Sequence, residues 1–316
     1  MKKIKDILLN LGFYDIPNEF GKKLVSEDDF RFWNENIDFD EAVKFYGLCR
    51  HSRFMELFQA YLDLYNKSPE MQYAVCVLNK YLFDADKYNW ERYFNRDVPD
   101  MLAAVILLSG YKKHLANMRM KKFDSAQIEA HKHRISECCT IGFDVYGLSY
   151  MQTSQLKWGT LFINAHIFEI GRLQFEVEKY EYQLENFEMK DRFCVEIHIP
   201  RGGKLDSAAV DVAIKNAKMT LPEVYKELPQ NPKFFLFSWL LSKEVEELLP
   251  PESNIKSFYR RFDIVKSYNS CSLNHFLFDK YDWDINKFPE DTSLRRIIKQ
   301  ELLSGKQFHD AVGILR

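Results

Sequence analysis

The chain has 316 residues, 15% of them aromatic and 28% charged, with a formal net charge of −2. A chain of this length buries roughly three-quarters of its unfolded surface and favours two domains over one, and its aromatic content excludes a disordered or fibrous polymer. Near-neutral charge excludes a field strong enough to hold nucleic acid or an anionic membrane non-specifically.

The opening segment MKKIKDILLNLGFY begins basic, but Asp6 and Asn10 interrupt its apolar run and no small-residue cleavage site follows, so it reads as an amphipathic first helix. No segment approaches the roughly 18 uninterrupted apolar residues of a membrane span. Six scattered cysteines, two of them adjacent at Cys138 and Cys139, form no disulfide framework, and the expected compartment is the cytoplasm.

Residues 1–150 read as an all-helical N-terminal domain, because apolar positions recur three and four residues apart. Phe54, Leu57, Phe58 and Tyr61 share one face, and so do Tyr73, Val77 and Tyr81. Pro99 sits where a first-turn proline belongs, ahead of DMLAAVILLSGYKKHLANMRMKK. The cations of that segment, Lys112, Lys113, Arg119, Lys121 and Lys122, read as a solvated helix end that complements the dipole rather than as a nucleic-acid patch. In HKHRISECC, His131 and His133 are two apart and diverge on a helix, so with Cys138 and Cys139 they make no zinc set; no metal is expected.

Residues 151–316 read as α/β, and seven of the ten prolines lie at or after Pro200. Leu173, Phe175 and Val177 alternate with Arg172, Gln174, Glu176 and Glu178; the next strand sets Phe193, Val195, Ile197 and Ile199 against Cys194, Glu196 and His198. With KYEYQLENFEMKDR as the turn, the polar faces coincide, and the expected register places Glu178 opposite Arg192 and Arg172 opposite His198. The strand DRFCVEIHIP then turns through RGGKL into the helix DSAAVDVAIKNA, which Asp206 caps and which buries Val210, Ala213, Ile214 and Ala217. The chain returns as KFFLFSWLL, apolar on both faces like a covered central strand. Strand, glycine loop, helix and second strand make a βαβ unit, and ligands of such units sit beyond the carboxyl ends of the strands. The two parts are expected to pack directly on each other, with a cleft roofed by the helical part.

The segments GRLQFE, IHIP, the glycine loop before DSAAVD, SWLL, LLPPESNIKSFYRRF and TSLRRIIKQELLSGKQF, in this order, resemble a bacterial acyltransferase family with an N-terminal helical acyltransferase domain and a GNAT-like C-terminal domain. The resemblance implies an α+β protein whose C-terminal domain has a mixed, mostly antiparallel sheet. Two parallel central strands splay there, and the pantetheine arm of acetyl-CoA or another acyl-CoA enters between them. It implies an acyl-CoA-dependent N-acyltransferase that moves the acyl group directly to an amine acceptor, both substrates being small molecules. Pro200, Arg201, Gly202, Gly203, Lys204 and Leu205, with the helix N-terminus near Asp206, would face the pyrophosphate.

For the chemistry, His198 or a Glu176 raised by burial is the natural general base. Tyr259 lies close to the place of the tyrosine that protonates the leaving thiolate in related enzymes. Ser238 lacks a nucleophile elbow and reads as a hydrogen-bonding hydroxyl at the site or as structure. Arg172, Gln174, Glu196, Trp239 and Asn254 complete the candidate substrate surface, although Ser253 or Asn254 equally reads as a helix cap. Lys204 stands where the GNAT pyrophosphate loop carries glycine; it favours the alternative of a non-catalytic ligand- or partner-binding protein on the same fold.

Overall fold

The computed structural model describes residues 27–84, 101–179, 193–269, 272–278 and 284–316. Contacts divide the chain into two compact units, Met1–His166 and Ile167–Arg316. The opening segment, Pro99, Arg192 and the turn from Tyr180 to Arg192 lie outside the described residues. No helix among the described residues is long and apolar enough to cross a membrane.

The regular structure described in the first unit is helical: α1 (Glu27–Asn36), α2 (Phe39–Phe45), α3 (Ser52–Lys67), α4 (Pro69–Asp84), α5 (Leu102–Ser109), α6 (Tyr111–Met120), α7 (Ser125–Asp144) and α8 (Thr153–Ile163), with a short 3-10 turn at Leu48–Arg50. On α3 the buried stripe is Phe54, Phe58, Leu62 and Tyr65; Leu57 and Tyr61, expected in it, are half-buried at its margin. All eight residues of α5 are buried, as a central helix hydrophobic on every side must be. The long apolar segment breaks into α5 and α6 at Gly110, where a Cβ would stand 2.7 Å from the Phe83 ring. In α7, His131 is buried with its Nδ1 3.1 Å from His114 Nε2, while His133 is exposed, so the two diverge as their spacing requires.

The second unit contains a six-stranded sheet of order β1-β2-β3-β4-β6-β5, with β1 (Ile167–Ile170), β2 (Leu173–Lys179), β3 (Phe193–His198), β4 (Phe234–Ser238), β5 (Phe262–Tyr268) and β6 (Asp310–Leu315). Only β3 and β4 run parallel; the other neighbours are antiparallel, giving the mixed, mostly antiparallel sheet expected. Helix α9 (Ser207–Val224) makes the crossover, capped by the Asp206 carboxylate on the Ala209 N–H and burying Val210, Ala213, Ile214, Ala217 and Leu221. It covers the sheet face that carries Leu173, Phe175, Val195, Ile197 and Phe234, each of them buried. Burial of a large apolar side chain contributes about 1.5–3 kcal/mol, so this two-layer packing fixes where the ends of β3 and β4 lie. The remaining helices are α10 (Lys243–Leu248), α11 (Asn254–Tyr259), α12 (Leu273–Phe278) and α13 (Ser293–Leu303).

Three expectations change. The β2–β3 register is displaced by two residues, so Gln174 faces His198 and Glu178 faces Cys194. The cause is a tight β1–β2 turn, closed by the Ile170–Leu173 pair and turned by Gly171 at φ 60°, which takes Arg172 out of the strand. The strand expected through KFFLFSWLL ends at Ser238, whose hydroxyl accepts the Leu240 N–H and bends Trp239–Leu241 into a 3-10 turn. Nor is β4 covered on both faces, since Phe237 is 42% exposed.

Gly313 on β6 admits that turn: a Cβ there would stand 2.8 Å from Leu241 Cδ1 and 2.9 Å from Phe262 Cβ. Gly313→Val should therefore lower stability by about 1–3 kcal/mol, read as a reduced urea midpoint. An unchanged midpoint would mean that β6 and the turn are not in close contact.

Candidate active site

At the end of β3 the chain passes Pro200 into a loop where Gly202 and Gly203 take φ of 81° and 70° in succession, the left-handed region that glycine enters without strain. Arg172, delivered by the β1–β2 turn, holds this loop. Its Nη1 donates to the Pro200 carbonyl at 3.0 Å, its Nη2 to Gly203 at 3.0 Å and its Nε to Lys204 at 3.1 Å. The carbonyls thus turn toward the guanidinium, and the N–H groups of Gly202, Gly203, Lys204 and Leu205 have no acceptor among the described residues. Successive free amides of this kind form a concave seat for an anion. The side chains of Arg201 and Lys204 are exposed, and Leu205 is buried. Asp206 already takes the Ala209 N–H, which leaves the helix to contribute only through its first turn.

A second arginine braces that first turn. Arg261 donates through Nη2 to the Ser207 hydroxyl at 2.6 Å, through Nη1 to the Ser257 carbonyl at 2.6 Å and through Nε to Asp211 at 3.0 Å, pinning α9 to α11.

Beside the loop, the parallel ladder between β3 and β4 is short. It pairs Val195 with Phe234 and Glu196 with Phe235, and no further pairs follow, although β3 continues to His198 and β4 to Ser238. The strands bearing His198 and Ser238 therefore part at their carboxyl ends.

On the lip of this opening, on the face opposite α9, Glu176, Glu196 and His198 come together. His198 Nε2 lies 2.9 Å from Glu176 Oε2 and 3.9 Å from Glu196 Oε2. Gln174, buried behind them, donates to Glu169 at 2.7 Å. Burial works to lower the His198 pKa, but the Glu196 carboxylate and the hydrogen bond to Glu176 outweigh it and hold the imidazole above its ordinary 6.5. One ligand atom from each of the three lies within 4.8 Å of the others, so the same spacing has the dimensions of a divalent-cation set as well as of a proton relay.

The other candidates lie apart from this cluster. The Ser238 hydroxyl serves the turn after β4, and Trp239 beside it is buried. Ser253 takes the N-cap position of α11 without a side-chain capping bond, and Asn254 after it is exposed. Tyr259 ends α11; burial first, then Glu246, Glu244 and Glu247, raise its pKa above 10.0, so the phenol keeps its proton. A surface depression lined by Lys218, Met219, Pro222, Glu223 and Lys226 lies toward the C-terminal end of α9, away from the loop. Glu169 and Arg261 were not anticipated. The short apolar run around Glu169 hides its strand, and nothing in SFYRRF tells which arginine turns inward.

Residues 167–315 match the family model of the GNAT-like C-terminal domain. No curated protein matches the chain by sequence. Solved structures share its fold: an acyltransferase in complex with decanoyl-CoA and teicoplanin, at 15% identity with 99% of each chain covered and a TM-score of 0.73; an acyltransferase mutant in complex with octanoyl-CoA, at 14%, 99% of each chain and 0.74; and an acyltransferase in complex with CoA and 10C-teicoplanin, at 16%, 99% of each chain and 0.73. At such identities the likeness is one of fold.

Arg172→Lys keeps the charge but loses the fork that reaches three carbonyls. The heteronuclear NOE of the Gly202–Leu205 amides should fall as the loop gains fast motion, and an unchanged NOE would show that the loop holds itself. The His198 ring, followed by NMR, should titrate above 6.5, and Glu196→Gln should move it down. Because the folded-state value is raised, the stability His198 contributes is fully present below pH 6.5 and is lost as pH climbs through the folded value.

Proposed function

We propose, from the premise that residues 167–315 form a GNAT-like C-terminal domain, that the chain is an acyl-CoA-dependent N-acyltransferase. The observation that carries this reading is the end of the β3–β4 ladder beside a loop with four free amides. The opening suits an extended, amide-bearing arm, which gains hydrogen bonds from strand edges as an added strand does. The amides of Gly202–Leu205 would hold the pyrophosphate without a lysine or arginine side chain, and the exposed Lys204 leaves that seat open. The solved relatives of the same fold bind decanoyl-CoA, octanoyl-CoA and CoA, and two of them also bind teicoplanin or its 10C form.

The acceptor is an amine that approaches from the face of Glu176, Glu196 and His198. Its nitrogen attacks the thioester carbonyl carbon; the C–N bond forms, the C–S bond breaks, and the departing thiolate takes a proton from solvent, to which the imidazolium afterwards returns the proton it received from nitrogen. Neutral His198 takes the proton from nitrogen, held in orientation by Glu176, while Glu196 steadies the imidazolium that results. Arg172 positions the loop, and Arg261 positions the first turn of α9. Gln174 and Glu169 set the back wall of the acceptor side. Tyr259, Ser238, Trp239 and Asn254 have no direct contact with this cluster among the contacts described, and the reading gives them no chemical step.

Calorimetric titration with CoA and acyl-CoA, followed by release of free thiol in the presence of primary amines, tests the proposal. Binding and turnover are expected, with kcat reduced by about a hundredfold to ten-thousandfold in His198→Ala and in Glu176→Gln. Absence of heat from folded protein would remove the donor. Binding with equal turnover in both variants would remove the proposed base. Since His198 acts in its neutral form, log kcat/KM should rise with pH through its raised pKa, and Glu196→Gln should shift that limb to lower pH.

A further inference from the structure

Beyond Glu196 and Phe235 the two parallel strands no longer pair, and counting two residues further along each brings Phe237 of β4 level with His198 of β3. Both face away from α9. On the covered face the opening is backed by Ile197 and Leu236, which are buried, so whatever passes between the strands emerges at Phe237. That residue is a phenylalanine of a central strand and is 42% exposed. Phe237 pairs with Val312 of β6 and makes an edge-to-face contact with Tyr268 of β5, the ring centroids 5.4 Å apart. Phe235, Val312 and Cys194 form a buried apolar floor against which Tyr268 packs. The apolar strip stops at Lys266, whose ammonium sits 5.0 Å from the centre of the Tyr268 ring.

We propose that this ledge binds the hydrocarbon chain of the acyl donor, so that the preferred substrate carries a medium-length apolar acyl group rather than acetyl. The inference rests on the acyltransferase reading above and names the donor class for the same site. A thioester carbonyl held at His198 has the ledge directly beside it, across the opening and on the same face. Strands lie about 4.8 Å apart, so the ledge from β4 across β6 to β5 runs roughly 10 Å, the reach of a chain of about eight carbons. A chain that ran further would meet the Lys266 charge and gain nothing.

The test is calorimetric titration of the full chain with CoA, acetyl-CoA, butyryl-CoA, octanoyl-CoA and myristoyl-CoA. Affinity should tighten by about fourfold for each methylene that reaches the ledge, and level off by about ten carbons. Phe237→Ala, which removes exposed apolar surface, should flatten this dependence and leave the Kd for CoA unchanged. Equal affinity for CoA and every thioester would overturn the ledge while the acyltransferase reading stands. Failure of all five ligands to bind would overturn both. If Phe237→Ala instead converts a dimer to a monomer in sedimentation and leaves the chain-length series as it was, the ledge is a contact between copies and the inference is lost.

Discussion

The second unit is organised by a ladder that stops early. A strand inside a sheet normally pairs along its length, because buried backbone groups need partners. Here β3 and β4 lie side by side over Val195–Phe234 and Glu196–Phe235 and then separate. Different sequence features end the two strands: Pro200 and the paired glycines close β3, and the Ser238 hydroxyl turns the chain after β4. Each end is held from a different place, β3 by Arg172 on the loop and β4 by the turn against Gly313. The opening between them is therefore a built feature of the fold. Glu196 is the last residue of β3 paired with β4, and that position puts its carboxylate, with His198 two residues on, at the lip.

Arg172 shows how charge and geometry are divided at the loop. A guanidinium facing an anion seat would ordinarily be read as its ligand, whereas the sequence placed Arg172 on the candidate substrate surface. Its donors instead go to the carbonyls of Pro200, Gly203 and Lys204, and the loop amides are left for something else. Positive potential still reaches the loop, and on the proposed reading recognition would come from backbone direction, in which Lys204 takes part through its carbonyl and amide. The exposed side chains of Arg201 and Lys204 add a screened, salt-dependent attraction at most.

Periodicity made much of this legible. The α9 stripe of Val210, Ala213, Ile214 and Ala217, its Asp206 cap and the alternation of β2 and β3 all appear as the sequence implies. Such features depend on local spacing, and spacing is what a sequence displays. What escaped depends on three-dimensional closure. The register of β2 against β3 shifted by two because a four-residue strand, Ile167–Ile170, and its glycine turn were too short to register as a pattern. A shift by two preserves faces, so His198 and Glu176 still met although Arg172 left the strand. Ser238 and Tyr259 were legible as chemical residue types, but a residue type does not reveal that a hydroxyl is committed to a backbone amide or that a phenol sits among the acids of α10.

The pairing of one imidazole with two carboxylates has a consequence for proton transfer from an amine. Carboxylates that raise the His198 pKa also raise the pKa of any ammonium bound near them, by the same Coulombic cause. The two shifts run in parallel, so the driving force between acceptor nitrogen and imidazole changes less than either pKa does. An isolated histidine in an apolar slot would fall below its ordinary value and be poorly matched to an alkyl amine. Glu196 and Glu176 correct that mismatch, at the cost of leaving more of His198 protonated at neutral pH. Efficiency in general-base catalysis follows the product of base strength and the fraction in the neutral form. With His198 as the proposed base, turnover therefore falls as pH drops through its raised pKa, while the flanking carboxylates stabilise the charge the imidazole acquires.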